Sequence, residues 1–174
     1  MIETKRLILR QFEITDQEAL ESLLGDKEVM ESSDDGPLNT EEVGEWLRGQ
    51  IEESKKKNGI EILAVINKAT SELIGYCGLT QFPDINGLSE IEVGYRFVRN
   101  SWGYGYATEA ASAVRDYSFS KLNLSRLVAL IEPINKRSIR VAEKLGMKYE
   151  KEIMLEDYDY PDYLYAIQNM EQNS

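Results

Sequence analysis

The sequence predicts a mixed α/β (α+β) fold, and three observations support this prediction. The composition is that of a globular protein, with 42% hydrophobic and 29% charged residues among 174. Two apolar, β-rich runs, "IEILAVIN" and "LIGYCGLTQF", flank the polar turn "KATSE", which is typical of an antiparallel hairpin. Further along, "SEIEVGYRFV" and "SRLVALI" flank a helical stretch. This order predicts one β-α-β crossover rather than a repeated βαβ winding.

The first third of the chain is predicted to hold one strand and two helices. "RLILRQF" is predicted to be the first strand. Thr15 and Glu18 have the spacing of a capping box and predict a helix that ends near Gly25. Asn39 and Glu42 form a second capping box, before apolar residues at helical spacing that predict a helix up to the "NG" pair.

The second half adds the helix of the crossover, which is expected to end at about Leu122. "NKRSIRVAEKLG" then predicts a short helix, and "MKYEKEIML" and "DYLYAIQ" predict the last two strands. The total is seven strands and four helices. No repeat and no low-complexity linker divides the sequence, so we expect a single domain over residues 1–174.

Composition and charge exclude several classes of function. The net charge of −11 argues against direct nucleic-acid binding, which needs a basic surface. No apolar run is long enough to span a membrane, and "MIETKRLILR" lacks the apolar core of a signal peptide. Together with a single cysteine, these features predict a cytoplasmic protein. No cluster has metal-ligand spacing, and there is no histidine to act as an acid or base.

The charge is unevenly distributed along the chain. Residues 1–60 hold 15 acids and 8 bases, and Glu150–Asp162 adds six acids against one lysine, whereas Asn135–Lys144 is basic. Charge runs of this kind are usually solvated surface. The distribution is also compatible with an anionic cofactor at one place and a cationic substrate at another.

A glycine turn, "WGYGYATEA", lies between the predicted strand and the helix of the crossover. A helix N-terminus favours an anion, and glycines before it allow a phosphate to approach the backbone. The turn is equally typical of tight helix–sheet packing. A dinucleotide fold would supply a ribose-binding acid in Glu132, but Thr108 stands where that fold needs a small third residue, and the further βαβ units are missing.

"WGYGYATEA" resembles the acyl-CoA pyrophosphate loop of the GNAT acetyltransferases. "ETKRLILR", "LIGYCGL", "EIEVGY" and "EPINKRSIRVAEKLGMKYE" resemble other family segments in the family's order. They agree with the subgroup that resembles the Rim-type N-terminal acetyltransferases of ribosomal proteins. The resemblance implies the GNAT fold, a mostly antiparallel seven-stranded sheet with about four helices and a splayed central β-α-β acyl-CoA site. It also implies an acetyl-CoA-dependent N-acetyltransferase that uses no metal.

The resemblance assigns cofactor contacts residue by residue. The backbone of Phe97, Val98 and Arg99 would contact the pantetheine arm, which Asn135 would also hydrogen-bond. Asn135 equally fits the cap of the helix it precedes. The phosphate loop would comprise Trp102, Gly103, Tyr104, Gly105, Tyr106, Ala107 and Thr108. Trp102 replaces the Gln or Arg usual in the family, and Tyr104 and Tyr106 equally fit simple packing around the turn.

The resemblance gives a less complete catalytic set. Ser138 matches a position near the thioester sulfur, while Ala142 replaces the tyrosine that many GNAT enzymes use to protonate the thiolate. Glu92 matches a carboxylate that faces the active site and would accept a proton through water. Glu92 is equally compatible with a solvated strand face. Cys77 fits a buried strand residue better than a nucleophile, since no histidine is present to activate it.

The expected acceptor is a primary amine, and a weak base favours one of low pKa. At pH 7, deprotonating a lysine costs about 4.6 kcal/mol, against about 1–1.4 kcal/mol for an α-amine. A protein N-terminus, including a basic one, therefore fits. The acid- and tyrosine-rich "YDYPDY" is a candidate amine-binding segment and is equally compatible with a loop that only connects strands. Polyamines and aminoglycosides stay open as alternative acceptors, and a non-catalytic acyl-CoA-binding regulator stays open as an alternative function. So does the choice between monomer and homodimer.

Overall fold

A single mixed sheet forms the centre of the structure, a computed structural model that describes residues 1–33, 35–56, 58–85, 87–154 and 160–170. The strands are β1 (Ile2–Glu3), β2 (Leu7–Arg10), β3 (Ile62–Asn67), β4 (Leu73–Ile85), β5 (Leu88–Phe97), β6 (Arg126–Ile131), β7 (Lys148–Ile153) and β8 (Asp162–Gln168). Their order in the sheet is β1-β2-β3-β4-β5-β6-β8-β7, and every neighbouring pair is antiparallel except β5–β6. The seven predicted strands are confirmed, and the two-residue β1 adds an eighth.

Four α-helices connect the strands: α1 (Gln17–Leu24), α2 (Thr40–Ser54), α3 (Tyr106–Ser120) and α4 (Lys136–Lys144). Their number confirms the prediction, and α3 is the helix of the β-α-β crossover. Within the described ranges, no helix is both long and apolar enough to cross a bilayer.

The two predicted capping boxes had different outcomes. Asn39 caps α2 as predicted, with its side chain accepting from the amides of Glu41 and Glu42 while Glu42 bonds back to Asn39. The prediction at Thr15 was wrong, because the reciprocal pair is Glu13 and Asp16, which encloses a 3₁₀ turn before α1. Asp16 is fixed there by Arg10, whose guanidinium contacts its carboxylate at 2.7 Å.

Alternation along the strands separates two apolar layers. On β3, Leu63 and Val65 belong to the cluster that includes residues of α3 and α4, whereas Ala64 belongs to the cluster that includes residues of α1 and α2. Successive strand residues point to opposite faces, so these two helix pairs cover opposite faces of the sheet. Side chains that alternate along β5 are therefore divided between the two layers.

The parallel contact between β5 and β6 is short. Glu92 and Val128 are the one registered pair between them, while β5 continues along β4 as far as Phe97 and β6 continues along β8 as far as Ile131. The two strands thus keep their outer partners after they part from each other. This arrangement opens a gap in the middle of the sheet, next to Glu92, the residue of β5 that pairs with β6.

Candidate active site at the gap between strands 5 and 6

The glycine turn lies at one side of the gap and leads directly into α3. Gly103 and Gly105 have φ values of +82° and +80°, a region that favours glycine, and Gly105 is the N-cap of α3. No side chain caps this helix end. The first amides of a helix lack an intrahelical acceptor, so the N–H groups at the start of α3 are free to bind an anion.

The turn is held from behind by the start of the chain. Arg6 Nε contacts Glu109 Oε2 at 2.6 Å, and Arg6 Nη1 donates to the carbonyl of Tyr104 at 2.9 Å. The guanidinium also lies 4.4 Å from the centre of the Tyr106 ring. These contacts fix the orientation of the amides at the start of α3 without occupying them.

Trp102 holds the turn to the end of β5. Its indole Nε1 donates to the carbonyl of Phe97 at 2.8 Å, and the guanidinium of Arg137 lies 4.6 Å from the centre of its ring. Trp102 therefore joins the end of β5, the turn and α4. The N–H group of the indole is therefore used within the protein.

A cavity of about 960 Å³ runs from the turn into the gap between β5 and β6. Nine of the predicted cofactor residues line it: Phe97, Trp102, Gly103, Gly105, Tyr106, Ala107, Thr108, Asn135 and Ser138. Four basic side chains of the predicted basic segment, Lys136, Arg137, Arg140 and Lys144, line it as well. The cavity thus combines free helix amides with cationic side chains, which is the chemistry that a polyphosphate requires.

Three predicted cofactor residues do not line this cavity. Tyr104 is 64% exposed and stacks on Tyr106 at a ring distance of 6.0 Å. The amide of Val98 donates to the carbonyl of Ile74 at 3.0 Å, so it is used within the sheet. Arg99 forms ion pairs with two acids before α2, Asp26 at 2.7 Å and Glu28 at 3.0 Å.

A second cavity, of about 340 Å³, adjoins the first and shares Tyr95, Arg96, Glu132, Asn135 and Ser138 with it. Three acids line it, Glu92, Glu132 and Asp162, and Glu132 accepts a hydrogen bond from the Tyr160 hydroxyl at 3.2 Å. The two cavities meet where β5 and β6 part. The two cavities therefore open into each other at the gap, with Arg96 and Glu132 in the wall that they share.

Glu92 lines the smaller cavity, at the point where β5 pairs with β6, and does not lie on a solvated face. Its Oε1 accepts a hydrogen bond from the amide of Leu130 at 3.0 Å, just beyond the point where β6 leaves β5. Burial raises the pKa of Glu92 to about 7, the hydrogen bond opposes this shift, and the charge of Asp162 adds to it. A carboxyl with a pKa near neutrality exchanges protons readily at physiological pH.

Asn135 and Ser138 begin α4 at the same junction. The Asn135 side chain accepts from the amide of Ser138 at 3.1 Å, which confirms that it caps this helix. The buried Tyr95 phenol lies beside Ser138. Burial raises the pKa of Tyr95 to about 12, partly opposed by the Ser138 hydroxyl, so the phenol is protonated at neutral pH. Ala142 is buried in the wall of the smaller cavity and leaves space where a tyrosine would stand.

Two other candidates from the sequence lie outside the site. Cys77 is 0% exposed in the cluster against α3, and burial raises the pKa of its thiol, which confirms a buried strand residue. The "YDYPDY" segment falls partly on residues 155–159, outside the described residues. Of its remainder, Asp162 lines the smaller cavity and Tyr160 contacts Glu132.

Comparison with known proteins identifies the family. Residues 6–148 match the family described as "Acetyltransferase (GNAT) domain". The chain belongs to the GNAT acetyltransferases. YkkB of Bacillus subtilis is 40% identical over 151 residues, which are 86% of each chain. A solved GNAT-family acetyltransferase from Bacillus anthracis is 28% identical, with a TM-score of 0.83 over 97% of this chain and 98% of the other.

This GNAT protein is an acetyl-CoA-dependent N-acetyltransferase, in accord with the family and with the basic, amide-rich cavity. Its fold is shared with enzymes of different named acceptors. RimL, an α-N-protein acetyltransferase solved with coenzyme A, has a TM-score of 0.79 at 21% identity over 95% of each chain. Spermidine N-acetyltransferase of Vibrio cholerae, solved with CoA and spermine, has 0.76 at 20%, over 98% of this chain and 100% of the other.

Several residues of the GNAT site were not predicted. Tyr76, Tyr95 and Arg96 line the smaller cavity, and they come from two strands that were predicted correctly. The alternation of side chains along β5 assigns Tyr95 to one face of the sheet and Glu92 and Arg96 to the other. That pattern could have identified Arg96 as a neighbour of Glu92, had the gap between β5 and β6 been placed.

Proposed function

We propose that this GNAT enzyme acetylates a primary amine of low pKa, an α-amine, and that Glu92 accepts its proton through water. The observation that carries this proposal is the position of Glu92, which is the residue of β5 that pairs with β6 and which lines the smaller cavity. A pKa of about 7 leaves much of the carboxyl ionised at neutral pH. Glu92 is therefore a base that is both present and placed beside the acceptor chamber.

The larger cavity is proposed to hold acetyl-CoA, which supplies the acetyl group. The free amides of Gly105–Thr108 would bind its pyrophosphate, and the basic side chains of α4 would add to this charge. Asn135 would orient the pantetheine arm through the side-chain amide that its capping bond leaves available. Ser138 would offer its hydroxyl to the departing thiolate, with the protonated Tyr95 beside it.

The pKa values of base and amine select the acceptor. Transfer of a proton from an α-ammonium of pKa 7.7–8.0 to Glu92 is uphill by about 1–1.4 kcal/mol, because the two pKa values nearly match. The same transfer from a lysine or alkyl ammonium of pKa near 10.4 is uphill by about 4.6 kcal/mol. RimL, with the same fold, is named for an α-amine, whereas the spermidine enzyme is named for a polyamine.

The decisive experiment is Glu92→Gln, assayed by CoA release at pH 7 and pH 9. The substitution keeps the shape and removes the base, so kcat/KM should fall on the order of 10²-fold at pH 7. At pH 9 an α-amine is largely neutral, and activity on an N-terminal peptide should recover toward wild type. A lysine side-chain acceptor should recover far less, since its pKa exceeds 9.

The exposed Glu45 on α2 offers a matched control, because it lines neither cavity. Glu45→Gln should leave both pH profiles unchanged. If the deficit of Glu92→Gln is equal at pH 7 and pH 9 on the best acceptor, Glu92 positions the amine and does not take its proton. Equal recovery on the lysine acceptor would contradict the assignment to a low-pKa amine.

A further inference from the structure

Arg96 is a partly buried cation that has no anionic partner within the described part of the chain. Among the residues that the structure describes, it forms no ion pair, and its Nη1 donates to the thioether sulfur of Met30. The other arginines that lack an ion pair, Arg48, Arg137 and Arg140, are exposed to solvent. A thioether is a weak acceptor, and a guanidinium stays charged at every physiological pH. Keeping such a charge partly buried without a partner is unfavourable unless a ligand supplies an anionic group that pairs with it.

Arg96 faces the same chamber as Glu92. The two residues are four apart on β5 and so lie on one face of the sheet, roughly 13 Å apart along the strand. The residue between them on that face is Gly94, and a Cβ atom there would meet nothing nearer than Glu92 Oε2 at 3.9 Å. The floor between base and guanidinium is therefore open.

Tyr76 lies on the neighbouring strand, registered opposite Arg96, while Thr80 is registered opposite Glu92. Burial raises the pKa of the Tyr76 phenol, Arg96 lowers it and Glu92 raises it, so the phenol is affected by both charges. All four side chains line the smaller cavity. The chamber thus has a cation at one end and the carboxylates of Glu92 and Asp162 in its other walls.

We propose that Arg96 is a specificity-determining residue that binds a carboxylate of the acceptor, so that the preferred acceptor is an α-amine that also carries a nearby carboxylate. A peptide with an acidic first residue has this chemistry together with an amine of low pKa, and a free α-amino acid has it with a more basic amine. A polyamine does not, because its second cation would meet the guanidinium. The inference rests on the proposed function only in placing the reacting amine beside Glu92.

The test compares acceptors in matched pairs with purified enzyme and acetyl-CoA. One arm uses α-amino acids and their α-amides, another uses peptides that begin with Asp or Asn, and a third uses spermidine. The amide has the more readily deprotonated amine, so a preference for the acid cannot arise from amine basicity. Wild type should prefer the carboxylate-bearing member of a pair at least tenfold in kcat/KM, and the first two arms distinguish free amino acids from peptides.

Arg96→Gln should abolish this preference by losing at least tenfold on the carboxylate-bearing acceptors and no more than about twofold on the amides. The KM for acetyl-CoA should stay within about twofold, which also shows that the variant is folded. Arg96→Lys keeps the charge but not the two-pronged donor, so it should restore part of the preference. Arg48→Gln, on the exposed face of α2, is the matched control.

Equal rates on both members of every pair, a preference for spermidine, or an equal loss on acid and amide in Arg96→Gln would overturn the inference. A raised KM for acetyl-CoA would assign Arg96 to the donor instead and would equally overturn it. These results differ from a failure of the proposed function, which would appear as Glu92→Gln retaining wild-type activity on the best acceptor at pH 7.

Discussion

The two chambers that meet at the gap are lined by different parts of the chain. The larger one is lined by the turn that begins α3 and by basic side chains of α4, together with residues of the segment after α1, of the end of β5 and of the segment after β6. The smaller one is made of side chains from separate segments, including β4, β5, β6 and the start of β8. Backbone amides recognise a phosphate whatever the neighbouring side chains are. Side chains change with every substitution, so the smaller chamber is where acceptor choice can vary while the donor stays fixed.

The largest expected effect is the loss of protein stability that results from a buried, ionised Glu92 in the smaller chamber. Glu92 has a folded pKa of about 7 against an ordinary value of 4.5, so the folded chain binds its proton more tightly than the unfolded chain does. Stability therefore falls as pH rises from 4.5 to 7 and stays lower above 7. Glu92→Gln lacks this loss and should exceed wild type by on the order of 3 kcal/mol above pH 7.

Urea denaturation of both proteins at pH 4.5 and pH 8 measures this difference. The difference in the free energy of unfolding between variant and wild type should be small at pH 4.5 and should reach its full value at pH 8. Glu45→Gln, which removes an exposed carboxylate of α2, should show no such growth. If the difference in the free energy of unfolding is the same at both pH values, ionisation of Glu92 does not destabilise the fold. The smaller chamber would then carry no stability cost that the larger one lacks.

The next effect tests the larger chamber. Gly105→Val introduces a β-branched residue at φ +80°, where it is strained, and the backbone must shift at the amides that begin α3. Acetyl-CoA binding should weaken at least tenfold, about 1.4 kcal/mol, in calorimetry. Gly87→Val is a matched control, with φ +84° and open space around its Cβ, and it lines neither cavity. Unchanged affinity in folded Gly105→Val would remove the phosphate role of the turn.

The smallest effect separates two uses of one side chain. Asn135 caps α4, so Asn135→Ala should lower the free energy of unfolding by ~1 kcal/mol. If it also orients the pantetheine arm, the KM for acetyl-CoA should rise severalfold. Asn39→Ala removes an equivalent cap from α2 and should reproduce the stability loss alone. Parallel stability losses with identical kinetics in both variants would reduce Asn135 to a cap.

The helices show which local patterns can be read from sequence. The box at Asn39 succeeded because its partner, Glu42, is the first acid able to reach back. The box at Thr15 failed because Asp16 has a stronger partner in Arg10, a residue of β2 that a local pattern does not include. The predicted strands were found because alternating apolar residues report burial directly.

The functional site likewise has parts that could be predicted from the sequence and parts that could not. The turn and the basic helix could be predicted, since each is a continuous stretch whose spacing sets its geometry. The role of Glu92 could be suggested but not its pKa, which depends on Leu130 and Asp162 across the gap. Arg96 could not be recognised, because the absence of an ion pair is a property of the folded chain.

The contacts of Arg6 make the cofactor turn a long-range structure. Its backbone and side chain bond to Glu109 across 103 residues and to Tyr104 across 98. Contacts of such separation carry a large loop-closure entropy and tend to form late in folding. A folding intermediate in which β5, α3 and β6 have assembled without the first strands would contain every residue of the turn and still lack its support. Competence to hold the donor therefore depends on the first strands as well as on the turn itself.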